Sequence, residues 1–440
     1  MRRPRLRPGH STGAGRGEGG SGAGAVGSLL SLYAVAALFR AAQNAAQTSL
    51  APIGEADLHL KAAAVGAVLA LGGVAGVAST VLLGRLALEA TVRRWMALGL
   101  ALSAGSYLVL AGARSPWLFA TAAVLLGAGS GLIMPSLSTL VGRNPAATAP
   151  RRLAGMTVAL SLSLTVGPVV DSALIGATSG SVRAAVSLFA VLPVLGILLV
   201  AASRTPPASS GGPPVFPSAG PVPPGPAVPP GPAVPPGPAV PPTPAAPDPA
   251  ARAVSGRPGL AASPWRRPGW RLAAVGQLLY QAPFMAVISF GVVAAGHLYG
   301  VVPAVAQLGI SAFFAVSLSV RVVLSAGWFT VRRPKRALLL VAGFSVVGVA
   351  LLGLGRSEAT MFVALGLLGL PHGLVFPVTL ALIAEETPPE RLAHANATFS
   401  AWTAAATVVL PLLLGGLAAV GGFRVMFLAL LFPVVALGAL

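Results

Sequence analysis

The sequence predicts an all-α membrane protein of about twelve transmembrane helices, arranged as two pseudo-symmetric six-helix bundles. Of its 440 residues, 55% are hydrophobic and 9% are charged, whereas a soluble domain carries about 25% charged residues. Nearly uncharged runs of roughly 17–25 residues recur along the chain, and each is long enough to cross about 30 Å of hydrocarbon as a helix. Apolar and polar residues do not alternate in these runs, which excludes barrel strands.

The apolar runs between charges and turn residues give the individual spans. The first half contains spans at 27–49, 60–83, 95–112, 117–140, 153–176 and 184–202. The second half contains spans at 272–296, 303–326, 337–355, 360–383, 395–418 and 424–440. The last span is short, and the sequence ends inside it or just after it.

Four regions follow from this reading. Residues 1–26 form a basic, disordered tail, and residues 27–202 and 269–440 form the two bundles. Residues 203–268, rich in proline and glycine, form a disordered linker that repeats PPGPAV three times from Pro223 onward. Such a repeat favours extended polyproline II over a packed core. It is either a solvated spacer, which we favour, or a ligand for proline-reading domains.

The basic residues predict the orientation, because cytoplasmic loops carry an excess of Lys and Arg. With the amino terminus inside, the inner side receives the tail arginines, the basic residues of the linker, and the loop residues Arg85, Arg93, Arg94, Arg143, Arg151, Arg152, Arg332, Arg333, Lys335, Arg336 and Arg391. The outer loops receive five, namely Lys61, Arg114, Arg183, Arg356 and Arg424. We therefore expect a multi-pass protein of the bacterial inner (plasma) membrane with both termini in the cytoplasm.

The composition also excludes several classes of function. Cysteine is absent, which rules out disulfides, thiolate metal sites and cysteine nucleophiles. The 29 basic residues lie between apolar runs rather than on one soluble face, so we expect no nucleic-acid partner. No phosphate-binding Walker loop and no metal-spaced histidine pair occurs. We expect neither an enzyme nor a cofactor or metal.

Short motifs of the first half recur in the second half in the same order. GLIMP at 131–135 is echoed by GLVFP at 373–377, and RLA at 152–154 is echoed by RLA at 391–393. Matches at nearly constant offset indicate a duplicated six-helix unit.

This organisation resembles the major facilitator superfamily of secondary transporters, whose loop between spans two and three reads G-x-x-x-D-R-x-G-R-R. Here Gly84 matches the first glycine, and Arg93 and Arg94 match the basic end. Leu88 replaces the acid, and Glu89 stands where the first arginine is expected. The resemblance implies that this loop takes part in conformational change.

Two further segments carry the resemblance. The equivalent loop of the second half, at 327–336, keeps a glycine and the basic cluster with Arg332 and Arg333 but has no acid. In span five, Gly167-Pro168 matches the start of the G-P-x-x-G-G signature of exporter branches, and Asp171 and Ser172 replace its last glycines. This partial match favours export.

Span one carries a polar stripe that the resemblance places in a central cavity. Residues at spacings of three, four and seven share one helix face, and the stripe consists of Tyr33, Arg40, Gln43, Asn44 and Gln47. An ionisable group in hydrocarbon costs about 2.5–3.5 kcal/mol and needs a role or a partner. The stripe therefore either binds solute or includes an internal Arg40–Asp171 pair.

Spans seven and ten supply further cavity candidates. Gln277, Tyr280 and Gln281 share a face of span seven, and His372 lies at mid-depth in span ten. Kinked helices frame midplane sites in transporters, and histidine can carry protons. The alternative for all four residues is ordinary packing between helices. Arg321 lies close to the cytoplasmic end of span eight, and we expect its side chain to extend to the membrane interface there.

Asp171, towards the outer end of span five, is the candidate for proton coupling. Burial favours the protonated form of a carboxyl and a nearby arginine favours the charged form, so a change of access can switch its protonation. The alternative is a static hydrogen-bonded contact between helices.

Small residues recur every fourth position in two spans and predict close helix packing. They are Gly72, Gly76, Thr80 and Gly84 in span two and Ala123, Gly127 and Gly131 in span four.

The expected function is secondary active transport of a small solute by alternating access, with proton-coupled efflux preferred and proton-coupled uptake as the alternative. A non-transporting membrane receptor is the rival from another class. The expected partners are the lipid bilayer, a small-molecule solute and protons or another coupling ion, and we expect a monomer.

Overall fold

The computed structural model describes residues 19–86, 91–142, 149–202, 267–326, 334–387 and 389–438. Within these ranges the regular structure is helical, without strands. Most of the tail and the linker lie outside them, as do the loop residues Glu89, Arg332 and Arg333.

The described residues of the first half form seven α-helices. They are α1 (Gly19–Pro52), which continues as a π-helix (Ile53–Asp57), α2 (Ala62–Leu86), α3 (Val92–Gly112), α4 (Pro116–Gly142), α5 (Ala149–Ala177), α6 (Val182–Leu188) and α7 (Val191–Ala202). The second half contains α8 (Pro268–Tyr299), α9 (Pro303–Ser325), α10 (Pro334–Leu354), α11 (Glu358–Glu386), α12 (Pro389–Ala429) and α13 (Leu431–Gly438).

These helices make twelve passes over the described residues. Ten stretches are long and apolar enough to cross a membrane, and one of them, Thr398–Pro433, contains parts of both final passes. The remaining pass is α1, because polar side chains such as Gln43 and Asn44 lower the hydropathy of its described part. The twelve-helix fold expected from the apolar runs is confirmed.

Glycine separates the last two passes of the second half, and proline breaks the last pass of each half. Gly422 interrupts α12 with φ 75° and ψ 173°, a backbone conformation that glycine adopts without a steric penalty. Pro193 and Pro433 are each the third residue of a short helix, α7 and α13. Proline cannot donate a backbone hydrogen bond, so the preceding helix ends and a new one begins just before it.

The α2–α4 contact is built on small residues. A Cβ added to Gly72 would lie 2.8 Å from the carbonyl oxygen of Ala123, and one added to Gly127 would collide with the carbonyl oxygen of Gly72. The hydroxyl of Thr80 donates to the carbonyl of Gly131 at 3.0 Å. The two predicted small-residue stripes therefore pack against each other.

We call the membrane face where α7 ends and α8 begins the linker side, and the opposite face, at Pro52 and Tyr299, the far side. The two halves meet along α2 and α12, α5 and α9, and α1 and α8. Near the far side, Gly66 of α2 lies against Pro411 and Gly415 of α12. Ala51 and Val65 of the first half belong to the hydrophobic core of the second half, so the halves are closed together on the far side.

Candidate functional site

A cavity of about 910 Å³ lies between the two halves, a volume in the range of small-molecule sites. Its walls come from α1, α2, α4, α8 and α12, and its principal side chains are Arg40, Gln43, Gln47, Ser130, Phe284 and Ser289. The largest polar side chains of the lining, Arg40, Gln43 and Gln47, come from the first half. The second half contributes Phe284, Met285 and Ile288 beside Ser289, Ser400 and Thr407.

The cavity extends towards the linker side. Its lining continues on α2 to Val81 and on α4 to Ser138, within five residues of the linker-side ends of these helices. In the other direction, a Cβ on Gly73 would lie 3.3 Å from the carbonyl oxygen of Thr407. Contact between α2 and α12 therefore closes the cavity from the far side.

The α1 stripe divides into residues that line the cavity and residues that do not. Arg40, Gln43 and Gln47 line it. Asn44 is buried, and its side-chain nitrogen has no hydrogen-bond partner among the described residues. Tyr33 instead donates to the backbone carbonyl of Arg152 at 2.8 Å and so holds α1 against α5.

Arg40 is held by neighbours in its own half. Its Nη1 donates to Oε1 of Gln43 at 2.5 Å, and Nε2 of Gln43 donates to the hydroxyl of Ser130 at 2.5 Å. This chain fixes the guanidinium at the cavity wall without neutralising it. The hydrogen bonds of Arg40 and Asp171 run to different partners, so the Arg40–Asp171 pair considered above is not formed.

Asp171 lies in a polar cluster that joins the halves near the far side, here called the far-side cluster (Thr48, Asp171 and Gln307). Nε2 of Gln307 donates to Oδ2 of Asp171 at 2.6 Å and to the hydroxyl of Thr48 at 2.8 Å. Asp171 is fully buried, and its Oδ1 has no partner among the described residues. Gln307 and Thr48 were not predicted as site residues, although a lone glutamine within apolar span eight was an available signal.

His372 lies in a buried, ring-lined pocket of the second half. Its Nδ1 is 2.6 Å from the hydroxyl of Ser317 and 3.3 Å from Nη2 of Arg321. Four aromatic rings have centroids 5.1–5.4 Å from the imidazole, those of Tyr280, Phe284, Phe313 and Phe314. Phe284 also lines the cavity, so the pocket adjoins it.

Arg321 does not extend to the interface as expected. Its Nη1 donates to the hydroxyl of Ser161 in the first half at 3.0 Å, and its Nη2 lies beside His372. Side chains on a helix tilt towards its amino terminus, and α9 begins on the far side. The arginine is therefore directed into the protein interior, away from the nearby linker-side interface.

The three span-seven residues that were predicted to line the cavity are not among its lining residues. Gln277 donates to Gln281 at 3.1 Å, and both are buried, whereas the cavity is lined one turn further on by Phe284 and Met285. Tyr280 is buried, and its ring centroid lies 5.2 Å from that of His372 and 5.4 Å from that of Phe284. We call Arg40, Tyr280, Arg321 and His372 the central cluster.

Contacts on the far side complete the closure. Nε2 of His297 on α8 contacts the carboxyl of Glu55 in the π-helix, and this contact links the two halves. Arg183 of α6 pairs with Asp57 at 2.8 Å and donates to the carbonyl of Ala113. These contacts hold the π-helix against α6 and the end of α3.

The described part of the predicted conformational loops lies away from the cavity. A Cβ on Gly84 would meet nothing within 4 Å, and Arg94 is exposed while Arg93 is half-buried. No group of three potential metal ligands occurs among the described residues.

Comparison with known proteins shows to which family the chain belongs. The Major Facilitator Superfamily model matches residues 29–351 and 273–440. No curated protein matches the chain in sequence.

Solved transporter structures share the fold. The nucleoside transporter NupG is 13% identical, with a TM-score of 0.68 over 94% of this chain and 97% of that one. The peptide transporter POT in complex with sulfate is 14% identical, with a TM-score of 0.66 over 94% of each chain. An inward-facing bacterial homolog of the human lysosomal transporter Spinster is 12% identical, with a TM-score of 0.66 over 93% of this chain and 94% of that one. These matches confirm the resemblance seen in the sequence, and the chain belongs to the Major Facilitator Superfamily.

Proposed function

We propose that this protein is a proton-coupled exporter that carries a small solute across the bacterial inner membrane by alternating access. The observation that carries the proposal is a solute-sized cavity between the halves, closed on the far side by contacts that include a buried carboxyl. In this proposal the tail (1–26) and the linker (203–268) lie in the cytoplasm, and the bundles at 27–202 and 269–440 rock as bodies around the cavity.

The cavity supplies the solute site. Arg40, Gln43 and Gln47 offer hydrogen-bond donors and acceptors, and Phe284 and Met285 offer apolar surface. The linker-side extension of the cavity would admit solute from the cytoplasm.

Asp171 supplies the coupling. As a carboxylate it accepts a charge-assisted hydrogen bond from Gln307 of the other half, and such bonds are roughly twice as strong as neutral ones. Protonation of Asp171 removes the charge and weakens this contact between the halves. A proton arriving from the far side would thus favour far-side opening and solute release there, which is the sequence of events in an antiporter.

The test is transport by purified protein in liposomes that carry an imposed pH gradient. Asp171→Asn should abolish gradient-driven accumulation and leave solute exchange largely intact, because the amide cannot carry the proton. Glu358→Gln, at an exposed far-side position, is the matched control and should behave as the unsubstituted protein. Gradient-driven accumulation that persists in Asp171→Asn would remove this residue from the coupling mechanism.

The same liposomes separate the proposal from its rivals. A receptor would bind solute without moving it, and a symporter would move solute in the same direction as the proton.

A further inference from the structure

The interior of this protein holds two arginines that come from opposite halves and approach the same place. Arg40 of α1 lines the cavity, and Arg321 of α9 lies beside His372. Nη2 of Arg321 lies 3.3 Å from Nδ1 of His372, whose ring centroid is 5.1 Å from that of Phe284, and Phe284 lines the same cavity as Arg40. Unpaired positive charges of two halves that adjoin one cavity inside the membrane region are costly, and an anion bound between them would offset that cost.

Among the described residues, no carboxylate of the chain lies at this depth. Those other than Asp171 lie near the ends of helices or in the π-helix: Glu55, Asp57, Glu358, Glu385, Glu386 and Glu390. Asp171 lies ten residues beyond Ser161 on α5, which is about 15 Å along the helix at 1.5 Å per residue. Ser161 is the first-half residue that Arg321 contacts.

The neighbours that the two arginines do have are neutral oxygen atoms and an imidazole. Arg40 donates to the side-chain amide of Gln43, and Arg321 donates to the hydroxyl of Ser161 and to the carbonyl of His372. Each guanidinium has five N–H donors, so these few contacts leave donors on both groups for a ligand.

The surroundings also indicate the rest of the ligand. Phe284, Met285 and Ile288 line the cavity, and the ring of Phe284 stacks on that of Tyr280 at 5.4 Å. An apolar or aromatic group fits against this wall while a charged group lies at the arginines.

We propose that the central cluster is the binding site for an organic anion, whose carboxylate or phosphate lies between Arg40 and Arg321 and whose apolar part packs on Phe284 and Met285. The inference rests on the proposed function, since it names the solute class for the same cavity. Because the two arginines belong to different halves, an anion that binds both offsets their charges and favours closure of the halves around it.

The test uses probes of similar shape and different charge on the purified full-length protein. Phenylacetate and phenyl phosphate are the anions, phenylacetamide is the neutral analogue, and phenethylamine is the cation. A ligand that prefers the folded state raises the midpoint of thermal unfolding. We expect at least one anion to raise it at millimolar concentration and the amide and amine to leave it unchanged. Equal stabilisation by the amide, preference for the amine, or no stabilisation by either anion would overturn the proposal.

Two further comparisons show which chemical groups of the ligand are responsible for binding. Inorganic phosphate alone should stabilise less than phenyl phosphate if the apolar wall takes part, and equal effects would contradict that part of the proposal. Comparison of phenylacetate with phenyl phosphate decides between carboxylate and phosphate as the preferred group.

Variants connect the binding to the arginines. Arg40→Gln and Arg321→Gln should each weaken the apparent affinity for the stabilising anion at least tenfold, which corresponds to about 1.4 kcal/mol. Arg356→Gln, at an exposed far-side position, should leave the affinity unchanged. Should a glutamine variant fail to fold, the lysine variant at that position keeps the charge and should keep the preference for anion over amide. Loss of that preference, or wild-type affinity in the glutamine variants, would refute the assignment.

Transport assays keep the two proposals distinguishable. Liposomes that move phenethylamine but neither anion would refute the anion site and leave the transporter proposal standing. Anion binding that depends on both arginines, without movement of any probe, would support the site and refute transport.

Discussion

Replacing Gly415 by alanine tests whether α2 and α12 form a separable far-side closure. A Cβ at this position would lie 2.5 Å from the carbonyl oxygen of Ala62 and 3.0 Å from Cα of Gly66. Ordinary contacts begin at 3.4 Å, so the new methyl group is about 0.9 Å too close to the backbone of α2. Since the obstructing atoms are backbone, no side-chain rotation relieves the clash, and the two helices must move apart.

The size of the effect follows from the cost of overpacking, about 1–3 kcal/mol for an added methyl group in a packed interior. That cost applies to the far-closed state only, because the clash disappears once the halves separate. The substitution should therefore shift the equilibrium towards the far-open state by about 5- to 150-fold. Gly416→Ala is the matched control on the same helix, because a Cβ there would meet nothing within 4 Å.

The assay is a distance measurement between spin labels on the far-side surface. The chain has no cysteine, so Trp117→Cys on α4 and Arg356→Cys before α11 place one label on each half without background labelling. Both positions are exposed. We expect Gly415→Ala to enlarge the long-distance population and Gly416→Ala to leave it unchanged. Identical distance distributions in the two variants would show that this contact does not hold the far side closed.

Two other substitutions probe the cavity and the core of the first half. Gln43→Ala removes the link from Arg40 to Ser130 and should weaken solute affinity about tenfold through the loss of a hydrogen bond to a charged group; unaltered affinity in a binding titration would assign Gln43 to packing. Gly127→Ala adds a methyl group against the backbone of α2 and should lower the free energy of unfolding by about 1–3 kcal/mol. This loss would be measured as a lower midpoint of thermal unfolding. Gly105→Ala has open space around its Cβ, so an equal loss in that variant would contradict the packing argument.

The passes of this protein could be predicted from the sequence because the bilayer constrains the chain locally. An apolar run of sufficient length must form a helix to satisfy its backbone hydrogen bonds. The predicted starts and ends lie within about four residues of the observed ones, except at the starts of two helices. α12 begins at Pro389 rather than at residue 395, and α1 begins at Gly19 rather than at residue 27. The added residues of α1 are mostly Gly, Ser and Ala, which a search for apolar runs does not detect.

The site was only partly predictable. The 3.6-residue period placed Arg40, Gln43 and Gln47 on one face, and the structure puts all three on the cavity wall. The same period could not separate them from Tyr33, since its hydroxyl is taken by a backbone carbonyl more than a hundred residues away in the chain.

The sequence by itself determined that the chain crosses a bilayer about twelve times in two related halves, because length, hydropathy and turn residues act over a few neighbouring positions. The tertiary structure decided which polar groups meet. It paired Asp171 with Gln307 and turned Arg321 towards His372. Those contacts depend on the tilt and approach of helices from different halves, and that geometry arises from packing over the whole molecule rather than from any local pattern.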